Sequence, residues 1–286
     1  MPAQVVDGKA IATAIRREVQ AEVETLTVKY GRSPSLAVIL VGEDPAAVTY
    51  VRNKGKACQE VGITSVPIQR PATVSGEELL DILYRLNKDE TIDGILVQLP
   101  LPTHIGERLI LEAVDPAKDV DGFHPSNLGG LLTGNPLFIA STPLGILEVL
   151  DRFRIAVEGQ HAVVIGWSTI VGKPTAFLLL KRRATVTVCH IWTRDLYLHT
   201  RQADILVVAA GKPGLVRGDM VKEGVVVIDV GINRVGGRLV GDVDFDSVYP
   251  KASLITPVPG GVGPLTVAML LKNTLLAYKA KMGPHS

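Results

Sequence analysis

Cysteine is scarce in this 286-residue chain: Cys58 and Cys189 are the only two, far apart. That excludes a disulfide framework and a cysteine-based zinc site. Both read as buried free thiols, as expected in a reducing cytoplasm. Long apolar runs are missing too. None approaches the roughly 18–20 residues of a membrane span. The N-terminus lacks the basic start and apolar stretch of a signal peptide. A cytoplasmic protein with no membrane partner is expected. Charge of one sign is also absent, since 30 Lys+Arg against 29 Asp+Glu leaves a formal net charge of +1. Nothing at that level points to nucleic acid as a partner. The histidines (His104, His124, His161, His190, His199 and His285) have no metal-ligand spacing, so no metal is expected. Neither a G-x-S-x-G elbow nor a Walker loop occurs.

Hydrophobic residues make up 47% of the chain, enough for packed cores and too many for a disordered chain. The length fits about two domains. Apolar spacing predicts alternating helices and strands. Ile11, Ile15, Val19, Val23 and Leu26 share one helical face behind Asp7 as N-cap. Leu36–Val41 and Gly94–Gln98 are continuous apolar runs, so they read as buried strands. Between them, Asp44-Pro45 opens a helix carrying Tyr50 and Lys54, and Ser75 with Glu78 forms a capping box. This β-α-β-α-β order predicts a mostly parallel sheet. The stretch from Asp115 to Pro143 is rich in Gly, Pro, Asn and Asp, and is the expected junction. A helix follows from Thr142-Pro143, then a second α/β series with strands at His161–Ile165, Ala184–His190, Ile205–Ala209 and Val225–Val230. Leu265–Lys281 is expected to form a long amphipathic helix that packs back on the first domain.

Glycine is the informative count, at 28, and several fall at predicted strand ends. Gly166-Trp-Ser-Thr-Ile-Val-Gly172-Lys-Pro174 follows a strand and precedes a helix. Glycines there permit a tight turn, and helix N–H groups with their dipole favour a phosphate. Gly211 and Gly231 end later strands of the series, where ligands of open α/β sheets bind. Tyr50 and Lys54 are spaced i,i+4, on one helical face. A phenol beside an ammonium can orient a substrate and move protons, and burial can lower a lysine pKa. Gln98 stands at the end of an apolar strand, before Leu99-Pro100. Lys118-Asp119-Val120-Asp121-Gly122 places two acids around a valine, and Pro257–Pro264 is a dense Gly/Pro loop suited to close approach of backbone and ligand. Taken singly, each motif also has an ordinary reading: a βα turn, an exposed helix pair, a satisfied amide or an Asx-capped turn.

Together, in this order, they resemble the bifunctional methylenetetrahydrofolate dehydrogenase/methenyltetrahydrofolate cyclohydrolase family over nearly the whole chain. The resemblance implies two α/β domains flanking a cleft, the second a Rossmann-like dinucleotide-binding domain. Residues 1–140 with 265–286 would form the folate-binding catalytic domain, and 141–264 the NAD(P)-binding domain. It also implies a homodimer, formed mainly through the cofactor domain. The activity would be oxidation of methylenetetrahydrofolate with NADP, then hydrolysis to formyltetrahydrofolate. Lys54 would move protons in the hydrolytic step, Tyr50 would stack on the folate, Gln98 would hydrogen-bond Lys54, and Asp121 would hold the pterin ring. Leu99, Pro100, Pro259, Gly260 and Gly261 would line the folate. Gly166, Trp167, Ser168, Val171, Gly172, Ile191, Ala210, Gly211, Gly231 and Ile232 would contact the cofactor.

Two departures from the family bear on cofactor choice. Trp167 stands where arginine is common, and Ile191 where many members carry a polar or basic residue. Arginine suits the 2′-phosphate of NADP through charge and paired hydrogen bonds. The expectation is altered preference, with NAD tolerated or NADP weakly used, and Arg194 or Lys173 as substitute cations. Ala47, Leu265 and the Ala140-Ser141-Thr142-Pro143 stretch are milder departures. The alternatives are a cyclohydrolase with a weakened dehydrogenase and a non-catalytic folate or dinucleotide sensor.

Overall fold

The computed structural model describes residues 3–283, so His285 lies outside the described residues. The chain runs β1 (Gln4–Val5), α1 (Gly8–Tyr30), β2 (Ser35–Val41), α2 (Pro45–Glu60), β3 (Thr64–Arg70), α3 (Gly76–Lys88) and β4 (Gly94–Val97). It continues through α4 (Glu107–Glu112), α5 (Pro125–Thr133), α6 (Ser141–Arg152), β5 (His161–Ile165), α7 (Gly172–Lys181), β6 (Thr185–Cys189) and α8 (Leu196–Thr200). Then come β7 (Ile205–Val208), a short 3-10 turn at Gly218–Met220, β8 (Val226–Asp229), β9 (Asn233–Val235) and β10 (Arg238–Val240). The last elements are α9 (Phe245–Val248), β11 (Leu254–Ile255) and α10 (Val262–Met282). Among the described residues no helix is long and apolar enough to cross a membrane.

Two compact units emerge. The first joins the residues up to Ala12 with Ala140–Thr266; the second joins Thr13–Ile139 with the chain from Val267 on. The chain start therefore groups with the first unit, because β1 pairs in parallel with β11. Two residues of strand leave almost no periodicity in the sequence, which is why that grouping departs from a domain running unbroken from residue 1 to 140.

The second unit holds a three-stranded parallel sheet in the order β3-β2-β4. The central β2 is buried along its whole length. Pro67 is tolerated because β3 is an edge strand. Ala37, Ile39, Leu79, Leu83, Ile95 and Ile110 form part of the core over this sheet. The predicted caps are present: the Asp7 carboxylate accepts from the Ala10 N–H (2.9 Å), Asp44 from Ala47 (2.8 Å) and the Ser75 hydroxyl from Glu78 (3.1 Å).

α10 corrects one expectation. It is not amphipathic along this stretch: Ala268, Met269, Leu270, Leu271, Asn273, Thr274, Leu275, Ala277 and Tyr278 are all buried. A helix buried around most of its circumference shows no single apolar stripe. The Tyr278 hydroxyl donates to the Arg32 carbonyl (2.7 Å), and the Arg32 guanidinium forks onto buried Asp93 with two 2.7 Å bonds.

The first unit holds a six-stranded sheet in the order β1-β11-β8-β7-β5-β6, every pairing parallel. From β5 the chain moves outward to β6, then crosses to β7 and β8 on the other side of β5. Strand order reverses between β5 and β7, the switch point where open α/β sheets bind ligands beyond their carboxyl ends. Val163, Ile165, Leu206, Val208, Val227 and Ile255 contribute to its core. β9 and β10 form an antiparallel hairpin around Gly236-Gly237.

Candidate active site

In the second unit, α2 carries Tyr50 and Lys54 one turn apart. Tyr50 is exposed, while Lys54 is half-buried. The Lys54 Nζ donates to Gln98 Oε1 at 3.0 Å. Gln98 follows β4 directly, and its Nε2 donates to the Leu99 carbonyl (2.8 Å). That bond fixes which end of the amide faces the lysine, leaving the oxygen for the ammonium. Leu99-Pro100 is a cis peptide. Burial lowers the Lys54 pKa, while the negative charge of Asp121 opposes the fall. Burial likewise raises Asp121, opposed by Lys54. Cys58, one turn beyond Lys54, is pushed up to about 12 by burial and stays a thiol at neutral pH.

The two acids of the Lys118–Gly122 motif separate clearly. Asp119 is structural: its carboxylate accepts from the Phe123 N–H (3.2 Å), the His124 N–H (2.8 Å) and Asn127 Nδ2 (2.8 Å). Lys118 is structural as well, its Nζ donating to the Leu86 and Asp89 carbonyls (2.9 and 2.8 Å). Between the acids, the Val120 carbonyl accepts from Asn273 Nδ2 of α10 at 2.8 Å. The same Nδ2 donates to the Ile139 carbonyl (2.9 Å). Gly94 makes room for this segment, since a Cβ there would lie 2.7 Å from Val120 Cγ1. These contacts lock the backbone on both sides of Asp121. Among the described residues no group hydrogen-bonds its carboxylate, so it is left to face Lys54 and a substrate. Asn273 is the positioning residue that sequence reading missed; its signal was a lone amide in the apolar run of the last helix.

In the first unit, Gly166, Ile191, Ala210-Gly211 and Gly231-Ile232 all follow parallel strands at one sheet edge, after β5, β6, β7 and β8 respectively. Gly166 adopts φ +121°, and a Cβ there would lie 2.2 Å from the Ala209 carbonyl oxygen. A Cβ on Gly172 would lie 2.1 Å from the Gly166 oxygen. Both glycines thus let the β5–α7 turn fold against itself and the end of β7. At the start of α7, the Ser168 hydroxyl accepts from the N–H groups of Val171 (3.2 Å) and Gly172 (3.3 Å). These are long, weak bonds, and they give the turn its cap. Gly211, at φ +66°, has open space where a Cβ would be, so the main chain is accessible there. This edge fits a dinucleotide: small residues, exposed backbone at the switch point and a ten-residue helix beginning beside it.

Trp167 and Ile191 stand exposed at this edge, Ile191 at 85%. The Trp167 ring centroid lies 5.5 Å from His190 and 6.2 Å from Trp192, and the Lys173 Nζ lies 5.0 Å from the Trp167 ring centre. Pro259, Gly260 and Gly261 lie between β11 and α10 in the first unit, after a cis Val258-Pro259 bond. The structure does not place them in the same unit as Lys54.

Two family models match. Residues 6–121 match the tetrahydrofolate dehydrogenase/cyclohydrolase catalytic domain, and residues 140–282 match the NAD(P)-binding domain of that family. Curated proteins named Bifunctional protein FolD are similar over nearly full length. One from Halothermothrix orenii is 59% identical over 278 residues, covering 96% of this chain and 98% of its own; one from Moorella thermoacetica is 58% identical, covering 98% and 100%. Among solved structures, the bifunctional enzyme FolD of Campylobacter jejuni superposes with a TM-score of 0.96 at 52% identity, covering 98% of this chain and 100% of its own. The Trypanosoma brucei FolD, complexed with NADP cofactor and inhibitor, gives 0.94 at 44%, covering 98% of each chain.

Proposed function

The chain belongs to the tetrahydrofolate dehydrogenase/cyclohydrolase family, and from that premise we propose how its own residues divide the two reactions. The enzyme oxidises 5,10-methylenetetrahydrofolate and hydrolyses the resulting methenyl compound to 10-formyltetrahydrofolate. NADP, when bound, supplies the hydride acceptor. Gly166, Ser168, Val171, Gly172, Ala210, Gly211, Gly231 and Ile232 hold it along the sheet edge of the first unit. The second unit carries the proton chemistry. The observation that carries this reading is the Lys54–Gln98 contact at 3.0 Å beside the carboxylate of Asp121.

A lysine whose pKa burial has lowered releases its proton more readily than a solvated one, so it can act as base and then return the proton as acid. Water adds to the methenyl carbon, and Lys54 takes a proton from it. The bond from that carbon to N5 breaks as N5 is protonated, and one proton is released to solvent. Gln98 holds the amine in place. Asp121, with free acceptor oxygens, binds the N–H donors of the pterin. The exposed Tyr50 ring stacks on the folate, and Leu99 and Pro100 line it. The oxidised one-carbon centre is already electrophilic, so positioning and proton management suffice.

Cofactor preference follows from the end of β6. NAD sites of this fold use an Asp or Glu there to hold the ribose 2′-hydroxyl, which repels a 2′-phosphate. Here that end carries His190 and Ile191, so NADP is not repelled. The charge missing at Trp167 is supplied by Lys173, held against the indole face. NADP is the working cofactor and NAD is tolerated. Initial rates with each cofactor test this. Lys173→Ala lowers the NADP/NAD ratio of kcat/KM by about tenfold, the scale of one charge-assisted contact. An unchanged ratio removes Lys173 from the assignment.

The enzyme works as a cytoplasmic homodimer. The buried thiols Cys58 and Cys189 fit a reducing compartment. β6 is an open sheet edge with Val188 exposed on it, and Phe177 and Leu180 of α7, which packs on β6, are exposed as well. An open edge with apolar neighbours suits pairing with a second copy.

A further inference from the structure

Two buried carboxylates in the first unit have no part in the chemistry above. Asp229 ends β8 at 3% exposure, and Asp242 is fully buried. Asp229 Oδ1 accepts from the N–H groups of Gly231 (2.9 Å) and Asp242 (3.0 Å), and its Oδ2 from Val243 (2.9 Å). Asp242 Oδ2 accepts from the N–H groups of Ala210 (2.6 Å) and Gly211 (2.8 Å), and its Oδ1 from Asn233 Nδ2 (2.8 Å). The surrounding glycines are shaped to these groups. A Cβ on Gly241 would lie 1.8 Å from Asp229 Oδ2, and one on Gly231 would lie 2.3 Å from Asp242 Oδ1.

The bonds form a chain of custody for backbone shape. Asp229 fixes Gly231 at the end of its own strand and the main chain of Asp242. Asp242 then fixes Ala210-Gly211 at the end of the neighbouring strand. Among the described residues six N–H groups, and no cation, satisfy the two carboxylates. Buried carboxylates are costly unless fully hydrogen-bonded, and desolvation pushes Asp229 up to about 6. Ordinary loop closure needs no such pair.

We propose that Asp229 and Asp242 are positioning residues for the dehydrogenase reaction, a two-carboxylate clasp that holds Ala210-Gly211 and Gly231-Ile232 in the shape that receives the dinucleotide. The inference rests on the assignment of those two loops to NADP. The clasp acts on cofactor binding and leaves the Lys54 hydrolysis alone.

The test uses the full-length enzyme with Asp242→Ala, Asp242→Asn and Asn233→Ala. Asparagine can present its oxygen to Ala210 and Gly211 and its NH2 group to Asn233, whose amide can turn to accept. The KM for NADP rises at least about tenfold in Asp242→Ala, because the two charge-assisted bonds to Ala210 and Gly211 are lost together with the one from Asn233. In Asp242→Asn it recovers to within about threefold of wild type, and Asn233→Ala falls between. Methenyl hydrolysis is retained in all three. If Asp242→Ala does not fold, Asn233→Ala and amide hydrogen exchange at Ala210 and Gly211 in Asp242→Asn decide the matter; an unchanged KM with unchanged protection overturns the clasp. So does an unchanged KM in Asp242→Ala, or an equal loss of both activities in Asp242→Ala and Asp242→Asn. NADPH fluorescence titration of the wild-type enzyme separates the two readings. No binding there refutes the cofactor assignment itself, whereas wild-type binding with indifferent variants refutes only the clasp.

Discussion

Two aspartates two residues apart, Asp119 and Asp121, show what a residue pattern conveys and what it withholds. The spacing alone does not tell the two acids apart, and it was the family resemblance that singled out Asp121. Their difference comes from partners distant in sequence: Asn127 and the His124 backbone satisfy Asp119, and Asn273 anchors the carbonyl between the two. The contact between Lys54 and Gln98 was legible because each falls at a predictable point of a helix or strand. Gln98→Ala removes the acceptor facing the Lys54 ammonium. A bond to the charged form favours it, so the variant's Lys54 pKa falls further. The limb of the hydrolysis pH–rate profile that reports deprotonated lysine then moves to lower pH. A limb that stays put, or moves up, contradicts the role given to Gln98.

Elements were legible where burial made them regular. β2, β4, β5, β7 and β8 are short apolar runs, β6 alternates threonine and valine at the sheet edge, and all were anticipated within a few residues. β3 was not delimited because an edge strand with Pro67 and alternating exposure has no such run. β1 and β11, two residues each, and the exposed β9–β10 hairpin carry even less pattern. α10 was misread because burial on nearly all sides erases amphipathicity. Two substitutions test how the elements are fitted. Gly172→Ala would improve most helices, but here its Cβ meets the Gly166 oxygen. A loss of roughly 2–3 kcal/mol in urea unfolding is expected from such overpacking. A neutral result would mean the β5–α7 turn is looser than described. Asn273→Ala removes the donor from the buried Val120 carbonyl and the half-buried Ile139 carbonyl and should cost about 1–3 kcal/mol. It also slows hydrolysis more than cofactor reduction, since it frees the backbone beside Asp121; equal slowing of both would make Asn273 merely structural.

For the molecule as a whole, buried acids set an unusual dependence of stability on pH. Burial raises Asp119 and Asp229 to about 6, with Asp121 beside the first and Asp242 beside the second adding to the rise. In the window between the unfolded carboxylate pKa and about 6, the folded chain binds more protons than the unfolded one. Their contribution is full below that window and is lost as pH rises through about 6. Asp89 and Asp204 are shifted down, so their contribution is lost only at lower pH. Unfolding free energy should therefore fall between pH 5 and pH 7, by about 1 kcal/mol per raised group; a rise would contradict these assignments. At the same scale, Val188→Lys on the β6 edge should convert the dimer to monomer in sedimentation velocity, and a wild-type monomer would remove that proposal. The central claim is that one chain carries two reactions and that Lys54 moves the proton of the second. It is tested most directly by following methenyl hydrolysis by absorbance in wild type and Lys54→Ala, with circular dichroism to confirm folding. The account predicts a loss of about 10²-fold or more in a folded variant, and near-normal hydrolysis without Lys54 would contradict it.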